Sequence, residues 1–122
     1  MAIFYDQSLD YCVADVIAYA TDPLLQDRLV ELKAPAKDVF RAGSLIDSAT
    51  GDLATEATKS EDLFVLLEKT QPEQETISAA RPFGVELKMN AMLAADSTSL
   101  ATLLPMLQMQ GFGFHTCGVF TS

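Results

Sequence analysis

Tryptophan is missing from this 122-residue chain, and histidine occurs once, as His115. Cysteine occurs twice, as Cys12 and Cys117, near opposite ends. Two such residues make no disulfide framework, and they show neither a CxxC pair nor metal-ligand spacing. Both read as reduced, small hydrophobes in a cytosolic product, with one end-to-end disulfide as the alternative. Zinc needs four ligands, or three plus water, so Cys12, His115 and Cys117 are too few and no metal is expected. Phosphate loops are also missing: neither G-x-x-x-x-G-K-[ST] nor G-x-G-x-x-G occurs, and no cofactor is expected.

Positive charge is scarce. Eight Lys and Arg face seventeen Asp and Glu, for a net charge of −9. The basic residues are scattered, and a phosphate backbone needs them clustered, so nucleic acid is excluded as a direct partner. The same charge disfavours anionic lipid surfaces. The start, MAIFYDQSLDYC, has no basic region and no long apolar run, so no signal peptide is expected. From Ser97 to Ser122 charge of either sign is absent. A membrane span would need about 20 predominantly apolar residues. Pro105, Gln108, Gln110, Gly111, Gly113, His115 and Gly118 interrupt this stretch too often, so no membrane is expected.

What remains is one ordinary domain with a substantial apolar fraction. Residues 1–30 have mixed apolar spacing, with Pro23 as a breaker, and read as an N-terminal arm. Residues 31–122 read as the compact domain. RLVELK alternates as a strand does. Turn signals at Ala42-Gly43 and Thr50-Gly51 divide the next stretch into two short strands, Ser44–Asp47 and Asp52–Thr55, joined by a tight turn. EDLFVLLEKT is an apolar run suited to a strand covered on both faces. ETISAA predicts another strand, followed by a break at Pro82. From Gly84 to Asn90, Val85, Leu87 and Met89 alternate with Glu86 and Lys88.

DSTS offers helix N-caps, and Gly111 stands where a C-terminal glycine stop belongs. Pro105 predicts that the helix starts near Leu103, or is kinked. Leu100, Leu103, Leu104 and Leu107 form one stripe; Ala101, Thr102, Pro105 and Gln108 lie opposite. A helix face without charge, beside methionines and aromatics, has the composition of a protein–protein interface. A last strand carries Phe112, Phe114, Thr116 and Gly118 on one side. The fold class is α+β, mainly β: a small domain of short strands with one helix before the last strand, plus the arm.

His115 and Cys117 share a strand face, but no residue pattern supplies a nucleophile–base–orienter arrangement, and no enzyme is expected.

The order of elements resembles the head-decoration, or capsid-cement, proteins of lambda-like tailed phages. The resemblance rests on Gly43, Leu45 and Ile46; on the turn at Thr50 and Gly51; on Val65 to Leu67; on Gly84 to Asn90; and on Gly111 with Phe112. It covers roughly residues 32–120. The strand DLFVLLEKT lacks the glycine usual in that family, and residues 1–30 have no counterpart. The resemblance implies a structural protein of the virion exterior, made in the host cytoplasm. It implies a homotrimer on the major capsid protein at local three-fold positions. Ile3, Phe4, Tyr5, Tyr11, Val13 and Ile17 are then candidates for capsid contact. Leu103, Met106, Met109, Phe112 and Phe114 are candidates for trimer packing. The competing readings are another phage part, such as a head-fibre base or small tail protein, a small-molecule binding module, and an enzyme using His115 and Cys117.

Overall fold

The structure, a computed structural model, describes residues 16–21, 27–82 and 84–115. Eight strands occur among them: β1 Ile17–Ala20, β2 Asp27–Glu31, β3 Leu45–Asp47, β4 Asp52–Leu53, β5 Leu63–Val65, β6 Thr76–Ala80, β7 Val85–Lys88 and β8 Gly113–His115. The helix α1, Ser97–Gln110, lies between β7 and β8. The fold is α+β and mainly strand, with one helix before the last strand.

Three small sheets result, in the orders β1-β7-β8, β2-β6 and β4-β3-β5. All pairings between these strands are antiparallel except β7 with β8, where Glu86 pairs Gly113 and Lys88 pairs His115. A parallel pair needs a long crossover, and α1 is that crossover. The Leu66–Ala79 bridge links the end of β5 to β6.

Strand alternation explains the core. On β3, Leu45 joins one apolar cluster with Val65, Leu87, Leu103 and Leu107, while Ile46 joins a second with Leu32, Phe40, Leu66 and Ile77. Successive side chains point to opposite faces, so the central sheet is buried on both. That is why LFVLL carries no polar residue: Leu63, Val65 and Leu67 serve one cluster, Leu66 the other, with Phe64 packed against it.

The β3–β4 turn forms as the Thr50-Gly51 signal predicts. Gly51 adopts φ +73°, and its N–H donates to the Asp47 carbonyl at 2.8 Å. The Asp47 carboxylate accepts from the Ala49 N–H at 2.9 Å and from the Thr58 hydroxyl at 2.9 Å. β5 follows a 3₁₀ turn, Ser60–Asp62, where Asp62 accepts from Lys33 Nζ at 2.7 Å and Ser48 Oγ at 3.2 Å. The hydrogen bond from Lys33 holds the Asp62 carboxyl below the usual range, with partial burial opposing; the same bond raises Lys33.

Three expectations need correction. The division between residues 30 and 31 runs through β2, and β1 also pairs within the folded body, so Ile17–Ala20 and Asp27–Val30 are integral to the sheets. The strand expected over Gly84–Asn90 stops at Lys88, because Met89–Ala91 turn into a 3₁₀ helix. The helix starts at Ser97, not near Leu103, and Pro105 sits inside it. Asp96 makes the early start possible: its carboxylate caps the Ser99 N–H at 2.7 Å, which also lowers its own pKa.

Candidate interaction surface

The helix α1 projects two unlike faces. Leu103 and Leu107 are fully buried, and Leu100, Leu104 and Met106 pack half-buried beside them. On the outer side Thr98, Ala101, Thr102, Pro105, Gln108 and Met109 are exposed. None of the fourteen helix residues is charged. The Thr102 hydroxyl donates back to the Thr98 carbonyl at 3.3 Å, which leaves the face less polar still. Met109 is 88% exposed, the largest exposure among the large apolar side chains described.

Both ends of this face are fastened. Asp96 caps the start. At the far end Gly111 takes φ +119°, and its N–H reaches the Gln108 carbonyl at 3.1 Å. Gln110 Nε2 donates to the Ser60 carbonyl at 2.8 Å, tying the last turn to the loop before β5. The surface is therefore presented on a rigid element. At the start of the helix, a groove of about 280 Å³ runs along Met92–Ala95, Ser97 and Leu100.

The candidate packing residues divide. Met109 is on the outer surface and Met106 at its margin. Leu103 is fully buried and Phe112 is 5% exposed, both in the chain's own core, so neither offers a surface to a second chain. Phe114, on β8, is half-buried and packs against the same core. The 3.6-residue period that put Leu103 on the apolar stripe is the reason it turns inward. Among the candidate capsid contacts, Ile17 is 8% exposed and belongs to the core. Ile3, Phe4, Tyr5, Tyr11 and Val13 lie outside the described residues. So do Cys12, Cys117 and the His115 side chain.

A second feature escaped the linear reading. Arg28 of β2 and Arg81, which follows β6, meet on one side of the β2–β6 pair, far apart in sequence. No local spacing signals such a meeting. Among the described residues, no group of three or more His, Cys, Asp or Glu is arranged to hold a metal ion. No described helix is long and apolar enough to cross a membrane. Comparison with protein-family models, curated proteins and solved structures finds no match to this chain.

Proposed function

We propose that this chain is a capsid cement protein, which binds the outside of a tailed-phage head as a homotrimer at local three-fold positions and stabilises the shell. The observation that carries the reading is the uncharged outer face of α1 in a chain of net charge −9. Copies of so acidic a chain repel one another wherever their charged surfaces meet. They associate best through a face without charge, and this helix supplies one on a rigid support. The motif order that resembles cement proteins supports the same conclusion. A trimer closes by three-fold rotation of one heterologous contact. Many such contacts over one shell add up, so modest binding per copy is sufficient.

The role is structural, with the major capsid protein as partner and the virion exterior as location. The proposed capsid contacts are Ile3, Phe4, Tyr5, Tyr11 and Val13; the proposed self-contact centres on Met109, with Met106 at its edge.

The test is to mix the purified protein with expanded shells and examine them by pelleting and negative-stain microscopy. Added density at local three-fold positions is expected, and shells that stay bare at saturating protein refute the proposal. Deleting residues 1–13 should abolish decoration yet leave a folded protein; the deletion stops short of Val16, which is fully buried. Met109→Asp should give soluble monomers by light scattering, and an unchanged oligomer mass removes this face from the self-contact.

A further inference from the structure

The β2–β6 pair carries an arrangement that the assembly reading does not use. The pairing places Arg28 opposite Ala79 and Asp27 opposite Ala80. Arg81 continues the strand two residues beyond Ala79, on the side that Arg28 shares. The Arg28 guanidinium lies over the Phe64 ring, 5.2 Å from its centroid. Its Nε is buried and has no hydrogen-bond partner. Arg81 Nη2 reaches only the Asp27 carbonyl oxygen, at a long 3.4 Å. The nearby Asp27 carboxylate turns instead to Ser78 Oγ at 3.5 Å, on the opposite side of the strands.

The two guanidinium groups thus share one side of the strands, near enough for Arg81 to oppose the charge of Arg28, and among the described residues neither is paired with a carboxylate. The only ion pair among the described residues is Lys33–Asp62. In a chain where seventeen acids face eight bases, chance favours an acid beside every arginine. Burial, and then the neighbouring Arg81, both lower the Arg28 pKa, so this arrangement costs the isolated chain stability. An anion bound between the two arginines would offset both effects by favouring the charged guanidinium. Arginine is the residue suited to this, because its planar fork meets a carboxylate through two parallel hydrogen bonds.

We infer that Arg28 and Arg81 form a receptor for a carboxylate side chain of a protein partner, presented on an extended segment along β2. Two observations select that occupant. A net charge of −9 repels a polyphosphate but tolerates a single carboxylate. Among the described residues β2 pairs only with β6, so none of them fills its other edge, where an extended segment would add a strand. The inference does not depend on the cement reading, since any protein partner with an acidic extended segment satisfies it.

The experiment uses the full chain and a capped pentapeptide of four valines around one central glutamate, titrated at low ionic strength. The Nε–Hε resonances of Arg28 and Arg81 are followed by ¹H–¹⁵N NMR. Saturable shifts of both are expected. One charge-assisted hydrogen bond corresponds to roughly a tenfold change in affinity or more. Arg81→Gln and Arg28→Lys should therefore each weaken binding by about that factor; Arg28→Lys keeps the charge over Phe64 and guards against loss of folding, checked by circular dichroism. Absent or unsaturable shifts, or binding by both variants as tight as wild type, would overturn the inference. So would inorganic phosphate binding as tightly as the peptide at matched ionic strength.

Discussion

Replacing Pro105 with alanine should stabilise the folded chain and weaken its self-association. Pro105 is the ninth of the fourteen residues of α1 and its ring is exposed. It has no N–H for the Ala101 carbonyl, and its ring crowds that carbonyl. Proline in a helix interior costs about 3 kcal/mol relative to alanine. Against that stands the rigidity proline gives the unfolded chain, worth about 0.4–1 kcal/mol. Little packing is lost, because the side chain faces solvent. The net expectation is a gain of about 2 kcal/mol. At the usual unfolding entropy per residue, a chain of 122 residues shifts by about 4 °C for each kcal/mol, so the melting temperature should rise by about 8 °C. Calorimetry at low protein concentration, where copies are apart, reads this directly. Light scattering on the same sample at higher concentration reads assembly, which should fall if the ring and the unfilled Ala101 carbonyl belong to the contact. An unchanged or lower melting temperature would refute the energetic argument, and would mean that the helix has already accommodated the proline.

The remaining predictions concern the core, the turn and the Lys33–Asp62 ion pair. Leu103→Ala should cost about 2–5 kcal/mol by urea denaturation, independent of protein concentration, since Leu103 is fully buried within its own chain; a loss that vanishes on dilution would return it to the interface. Gly51→Ala should cost more than about 2 kcal/mol. The left-handed backbone accounts for roughly 1–2 kcal/mol of this, and the added Cβ would meet the Pro35 carbonyl oxygen. A wild-type urea midpoint would show that the turn is not held as described. The Asp62 carboxyl is lowered in the folded state, so its contribution is present above its unfolded value, about pH 4, and is lost as pH falls through the folded value. Asp62→Asn should flatten the acid limb of urea midpoints measured from about pH 6 to pH 2, and a limb as steep as wild type would assign it to other carboxyls. Lys33, raised by the same hydrogen bond, gives the mirror case: its contribution is present below its ordinary value and is lost as alkali carries the pH through the raised one.

Local patterns announced most of the elements. Alternation in RLVELK, the Thr50-Gly51 turn and the uninterrupted LFVLL run each describe a short-range fact: side-chain direction on a strand, a left-handed backbone position, burial on two faces. These are decided within a few residues, so they are legible in one dimension. The two sides of α1 were legible for the same reason, because a fixed period of 3.6 residues assigns Leu103 and Leu107 to one side and Ala101, Thr102, Pro105 and Gln108 to the other.

Other features follow from contacts between distant segments. Proline's local cost argued for a helix that starts near Leu103 or is kinked; the Asp96 cap and the buried Leu103 and Leu107 hold the helix from Ser97 onward, with the proline inside it. Residues Ile17–Ala20 and Asp27–Val30 read as part of an arm, because nothing within that stretch shows that β7 and β6 lie ready to pair with them. Arg28 and Arg81 become neighbours only through the β2–β6 pairing. The chain by itself therefore determined most of its strands, its turn and an uncharged helix face. The tertiary structure alone decided which apolar residues are consumed by the core and which charges meet, since burial and pairing are properties of segments brought together in space.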